Sequence, residues 1–565
     1  MALLRSRLRR LSGWVRMPAD EAGLKKAMRK NPHLLEYVQE FVSRHRSPPE
    51  FHPVVERKMG DEQQVNVIYP IGDPLFVHVF STGSIPISYK SVQPPMTPDL
   101  QPKYRKVIQQ VYNKAVYMDP HESVVEFEKN LLQLIDASTK ISESSTDGDG
   151  KRIFGDLFTE PKIFVTQHEQ DLIKYHAKLA IVLSGPLEPL LRDPYIEDIH
   201  CIGHDNVSIV HKIFQAMPTD VKFESMEELD NYVRALSERI GRPASMARPI
   251  VDGTLPDGSR INLIYADDVS VKGPSFSIRK FAEEPISITH LIEWNTISAQ
   301  EAAYIWLCLE EGMSIFFCGE TASGKTTTMG AALPFIKYDS KVYTAEDTIE
   351  MQVPHKVWQR LATRDFGPEE SRVDTFSLLK AALRSRPNFI IVGEIRGKEG
   401  SVAFQAMQTG HPVLSTFHAA STRKLIQRFT SDPINVPITF IDNLNVAFFQ
   451  AGVYREGKFL RRTMFIDEIV GYNEALGGIM TRTIFLWNAA DDSHMFKGMN
   501  NSYILEEKIA VKRGYSDKRK IYGDLALRTK ILEEMVARKI FKYEKVAEIT
   551  KEFQKKGVSG LPFPV

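Results

Sequence analysis

The chain has 565 residues, 43% of them hydrophobic, with 72 Lys+Arg against 71 Asp+Glu and a formal net charge of +1. That length is ample for two or more packed cores, and the charge balance excludes a globally basic nucleic-acid binder. Cys201, Cys308 and Cys318 lie far apart, which excludes a disulfide framework or a four-cysteine zinc site and fits a reducing cytoplasm; no apolar run reaches the roughly 18–20 residues of a membrane span.

In chain order, Leu3 to Arg16 comes first, basic, apolar and free of acids. Leu4, Leu8 and Leu11 share one helical face, with Arg5, Arg9 and Arg16 elsewhere, a pattern suited to anionic lipid or a membrane partner. A solvated arm fits the same residues, and the long apolar core of a secretory signal is missing. Residues 20–60 carry a charged helical pattern, 63–90 alternate as strands broken at Pro70 and Gly72, and 100–136 read as helix. Ser138 to Gly150 is polar and Gly/Ser-rich, a loop or linker closing an N-terminal extension of residues 1–150. An α+β unit is expected over 151–290. Its elements are a helix from Gln167 to Leu183 leading into Asp193 to Ile199, a helix from Met226 to Gly241, a Gly/Pro-rich hairpin from Asp252 to Arg260 and a strand from Phe276 to Phe281. Helix and strand then alternate over 291–505, the pattern of a parallel α/β sheet, and a charged helical tail fills 506–565.

The alternating region carries the chemistry. Gly319, Glu320, Thr321, Ala322, Ser323, Gly324, Lys325 and Thr326, followed by Thr327, have the spacing of a phosphate-binding P-loop. A short apolar strand, Ser314 to Cys318, precedes it, and a helix is expected from Lys325 to Leu333. Backbone N–H groups of the loop and the helix N-terminus converge on one anion. Lys325 would meet the β- and γ-phosphates of ATP, and the Thr326 hydroxyl would hold Mg²⁺. A chance Gly-rich turn would not bring strand, loop and helix together. Phe389 to Glu394 is an apolar strand ending in an acid, the Walker B arrangement, in which Glu394 aligns the attacking water and reaches Mg²⁺ through it. Between the two, a strand from Lys341 ends in Glu346, Asp347 and Glu350. Three clustered carboxylates suit metal or water positioning, or else a solvated loop. Downstream, His411 and His418 flank a short strand, where they either sense the γ-phosphate or serve as satisfied structural histidines.

In this order the motifs resemble those of the secretion ATPases, the hexameric motors of type II and type IV secretion, type IV pili and archaella. The resemblance spans roughly residues 165–480, and Arg248 to Arg260, Phe276 to Phe281 and Thr430 to Pro437 are similar to the archaeal branch. Two departures from bacterial relatives agree with that branch: no four-cysteine insert, and Thr348 where bacterial motors often carry proline. The resemblance implies a RecA-like P-loop NTPase core preceded by a smaller α+β domain and a helical N-terminal extension. It implies an ATPase in which Glu394 is catalytic, Glu346 and Glu350 position water and metal, and His411 and His418 link nucleotide state to a subunit interface. Arg248 and Arg260 would reach the phosphates on domain closure, the alternative being a hairpin salt bridge. Arg364, Arg384 and Arg396 are further interface candidates. ATP and Mg²⁺ are the implied ligands. The implied partners are five further copies in a homo-hexamer, a polytopic membrane platform protein and filament or secretion components, with no nucleic acid, at the cytoplasmic face of the membrane. Competing readings are a RecA-like DNA-translocating or conjugation-linked ATPase, disfavoured by the neutral charge and the lack of a basic–aromatic stripe, and a non-hydrolysing nucleotide-gated adaptor, disfavoured by Glu394.

Overall fold

A computed structural model describes residues 21–56, 59–60, 64–82, 85–116, 123–142, 161–266, 268–281, 284–364, 369–455, 458–475 and 477–565. The basic arm at residues 1–16 and the Glu143 to Gly150 stretch of the expected linker lie outside the described residues. The chain divides into two compact units, one ending at Phe281 and the other starting at Ala282.

In the first unit, helices Glu21–Lys30 and Pro32–His45 set Leu24, Leu34, Leu35 and Val38 against a four-stranded sheet. Its strands are β1 (Glu50–Phe51), β2 (Asn66–Pro70), β3 (Phe76–Thr82) and β4 (Ile85–Val92), in that spatial order. The helical stretch expected over 100–136 is two helices, Leu100–Ala115 and Val124–Ser138. The expected linker begins instead as a strand, β5 (Thr139–Ile141), paired in parallel with β6 (Ile163–Val165). The following strands are β7 (Ile196–Ile202), β8 (Val207–His211), β9 (Gln215–Pro218), β10 (Ile250–Thr254), β11 (Arg260–Ile264) and β12 (Ser275–Arg279). They form an antiparallel sheet in the order β10-β11-β12-β7-β8-β9. Residues either side of position 150 share one core, in which Tyr69, Val77 and Tyr89 pack with Ile199, Ile209 and Ile261. Buried Asp193 fastens the join. It accepts hydrogen bonds from the Tyr69 hydroxyl at 2.7 Å and the Tyr89 hydroxyl at 3.0 Å, so its burial is compensated.

The second unit is built on one nine-stranded sheet. Its strands are β13 (Ile315–Gly319), β14 (Val342–Glu346), β15 (Trp358–Ala362), β16 (Phe389–Glu394), β17 (Val413–Phe417), β18 (Val446–Arg455), β19 (Lys458–Asn473), β20 (Gly478–Asn488) and β21 (Ser493–Phe496). The order is β15-β14-β16-β17-β13-β18-β19-β20-β21, with the first six parallel and the rest antiparallel. Every residue of β13, β14 and β17 is buried, the pattern of strands covered on both faces. The C-terminal residues belong to this core. Helices Ile521–Ala537 and Tyr543–Lys556 contribute Leu525, Leu532, Met535, Val546 and Phe553 to the cluster containing Trp306 and Phe335.

Candidate nucleotide site

Three neighbouring strands end at one edge of the sheet and place the site. Gly319 closes β13, and the chain then turns through the loop into helix Lys325–Ala332. Gly319 has φ +152°, and a Cβ there would stand 2.2 Å from the Gln450 carbonyl oxygen on β18, so backbone angle and space both demand glycine. Ala322 at φ +60° and Gly324 at φ +95° turn the loop on itself, as an anion-binding nest requires. The Ser323 hydroxyl donates to the Glu320 carbonyl at 2.8 Å and the Lys325 ammonium to the same oxygen at 2.6 Å. Lys325 is 7% exposed, and burial holds its ammonium below the usual lysine value although Glu394 pulls the other way. Thr326 is half-buried and Glu320, Thr321, Ala322 and Thr327 are exposed.

Glu394 ends β16 beyond a register shift at Gly393. Its carboxylate accepts from the Arg396 guanidinium at 2.5 Å and lies 3.1 Å from the His418 Nε2, just past the end of β17. Burial pushes the Glu394 carboxyl up, but the Arg396 hydrogen bond and charge, His418 and Lys325 outweigh it and hold it below the ordinary glutamate value. Burial and the Lys325 charge hold His418 below the usual imidazole value despite Glu394. At neutral pH His418 is therefore a neutral imidazole beside the carboxylate. Its backbone carbonyl accepts from Arg428, whose guanidinium stacks 4.8 Å over Phe417.

Glu346 ends β14 at 1% exposure. One carboxylate oxygen accepts the N–H groups of Glu350 and Met351, both at 2.9 Å, and the other is buried with no protein partner. Burial pushes this carboxyl up to about 6. A Cβ on Gly393 would lie 3.4 Å from the Glu346 Cγ, so Glu346 packs against the Walker B strand. The exposed Glu350 contributes its backbone N–H to this group, while the structure gives its carboxylate no place in it.

The structure does not bring His411 to this edge. It precedes β17, accepts or donates at 3.1 Å to the Thr409 hydroxyl, and lines an open cleft of about 580 Å³ at the opposite end of the sheet. Seven residues of extended chain separate it from His418, about 20 Å. Arg248 and Arg260 belong to the first unit and are exposed, Arg248 just before β10 and Arg260 at the start of β11. Among the described residues neither forms an ion pair, so the alternative of a hairpin salt bridge finds no support. Arg364 donates to the Ser371 carbonyl at 2.8 Å, and Arg384 is exposed.

One contributor escaped the sequence reading. Arg461 on β19 donates to the Ala322 carbonyl at 3.1 Å, touching the P-loop from across β18. No local motif marks it; the contact depends on antiparallel pairing with β18, and only alternation along β19 hints at its direction.

A P-loop at the end of a buried parallel strand, with an acid ending the next strand but one, defines a nucleotide-binding α/β protein. The Type II/IV secretion system protein family matches residues 182–435. The uncharacterized protein MJ0900 of Methanocaldococcus jannaschii is 54% identical over 548 residues, covering 97% of this chain and 99% of that protein. The conjugal transfer protein TrbB of Rhizobium radiobacter is 31% identical over 201 residues, covering 35% of this chain and 60% of TrbB. Among solved structures, the Legionella pneumophila ATPase DotB has 16% sequence identity and a TM-score of 0.38, covering 63% of this chain and 87% of DotB. The chain belongs to the type II/IV secretion system protein family.

Proposed function

We propose that this chain is an ATP-hydrolysing motor driving assembly of an archaellum or type IV pilus-like filament, or secretion, across a membrane. The observation that carries the reading is the grouping of Glu394, His418 and Lys325 at one sheet edge, with an acid held ionised beside a P-loop. The loop N–H groups and the Lys325 charge bind the β- and γ-phosphates. Glu394 accepts a hydrogen bond from the attacking water, aligns it with the γ-phosphorus and takes its proton. His418, neutral and within reach of Glu394, donates to the carboxylate or to the γ-phosphate as charge develops. Arg396 exchanges its bond with Glu394 for one with phosphate, which frees the carboxylate for water. The Thr326 hydroxyl, the unpartnered oxygen of Glu346 and Glu394 would hold a hydrated Mg²⁺, which would spread the phosphate charge.

Arg248 and Arg260 are proposed to reach phosphate when nucleotide closes the first unit onto the second. Six copies would form a ring whose cycling pushes on a polytopic membrane platform protein. The similarity to TrbB favours one alternative, a conjugation-linked ATPase, which predicts turnover stimulated by DNA. Lys325→Ala tests the core of the proposal, because it removes the cation that meets the phosphates. ATP affinity measured with a fluorescent analogue should collapse; unchanged affinity would reject the site.

A further inference from the structure

We propose that the β18–β19 hairpin binds the nucleoside end of the nucleotide, with Tyr454 and Phe459 stacking the base and Arg461 tying this arm to the loop around the phosphates. The inference rests on the nucleotide reading above and adds where the base goes.

Past the P-loop edge, where Gly319 pairs with Gln450, β18 continues for five residues and β19 returns beside it. In this ladder Tyr454 faces Phe459 and Gly452 faces Arg461. Directly opposed residues point to one face and alternate residues share it, so Tyr454, Phe459 and Arg461 line a single face. The other face of β19 is spent on structure, since Arg462 is buried and forms an ion pair with Asp492 at 2.7 Å. On the shared face the Tyr454 and Phe459 rings lie 5.1 Å apart, and the Arg461 guanidinium sits 5.4 Å over Phe459. Gly452 makes room for this: a Cβ there would be 2.3 Å from the Phe459 ring.

That face meets the P-loop. Arg461 Nε donates to the Ala322 carbonyl at 3.1 Å, and its Cδ lies 3.3 Å from where a Cβ on Gly324 would stand. Holding an outer carbonyl of the loop favours the orientation in which the N–H groups point inward at the anion.

The two flanks of the loop also differ in chemistry. Glu394 and His418 occupy the β16–β17 side of β13 and mark the γ-phosphate end. The nucleoside therefore extends toward the opposite flank, where β18 and β19 project. There Tyr454 is 81% exposed and Phe459 40% exposed. Single exposed aromatics are ordinary, but two rings and a guanidinium on one face beside a phosphate loop form a stacking surface for a purine. The ligand class is a purine nucleoside di- or triphosphate.

Calorimetry on the full chain, with ADP and with inorganic tripolyphosphate as separate probes, tests this. Tyr454→Ala should weaken ADP about tenfold, the scale of one base–aromatic stack. It should leave tripolyphosphate affinity unchanged, and Tyr454→Phe should restore ADP binding. Lys325→Ala should weaken both probes. Unaltered ADP affinity in Tyr454→Ala overturns the proposal, as does an equal loss for both probes, which would mean a distorted loop. A wild-type chain that binds neither probe overturns the nucleotide reading itself, and with it the arm.

Discussion

Glu394 and Glu346 show how place separates two carboxylates on neighbouring strands. Glu394 meets a guanidinium, an imidazole and the Lys325 charge and stays ionised, whereas Glu346 is buried with one oxygen unpartnered and is pushed up to about 6. If the charged form of Glu346 holds water or metal, kcat/KM rises as pH increases through about 6 and then levels. The residual turnover of Glu346→Gln should lack this acid limb; a limb that persists would belong to His418. The P-loop and Glu394 were legible in the sequence because their chemistry is local, a few residues between a strand and a helix. His418 and His411 looked alike there. The pleat separates them, since each extended residue advances the chain about 3.3 Å, and only the one after the strand reaches the edge. The role of the Glu350 N–H was hidden because it belongs to the backbone.

At the scale of elements, β21 is fastened to helix Ala299–Glu310 by a buried pair. His494 Nδ1 lies 3.0 Å from the Glu301 carboxylate, with side-chain exposures of 1% and 0%. Burial lowers the His494 value, but the Glu301 hydrogen bond and charge and the Asn295 carbonyl outweigh it and raise it above 6.5. A raised folded value stabilises fully below the unfolded value and loses that contribution as pH rises through the folded one. The thermal midpoint should therefore fall as pH increases above about 6.5. His494→Gln should be less stable at pH 6 by about 3 kcal/mol, the scale for breaking a buried pair, and should lack this slope. An identical slope in the variant would assign the pH dependence elsewhere. The pair was invisible in the sequence, since it joins positions 193 residues apart. The helices Gln167–Ile181 and Met226–Arg239 were legible from their period, with ends differing by about two residues, whereas the place of β18 beside β13 depends on a partner distant in sequence.

For the whole molecule, the C-terminal residues are the least expected part. They read as a charged tail, yet Ile521, Leu525, Arg528, Leu532 and Met535 recur at helical spacing on one buried face. Arg528 bonds Glu310 at 2.7 Å and lies 5.4 Å over Trp306, which stacks on Phe335 at 4.9 Å. Truncation before Ile521 should uncover this core and abolish cooperative unfolding of the second unit; a truncated chain with the wild-type midpoint would restore the picture of a detachable tail. Ring formation is expected from the family. Light scattering with a non-hydrolysable ATP analogue should shift toward hexamer mass, and a strict monomer with full, concentration-independent turnover would contradict it. The central claim, that Glu394 makes this P-loop unit an ATP hydrolase, is tested most directly by Glu394→Gln with ATP binding and phosphate release measured on the same preparation. Binding should be retained while turnover falls by about 10²–10⁴-fold; phosphate release at the wild-type rate would contradict the account.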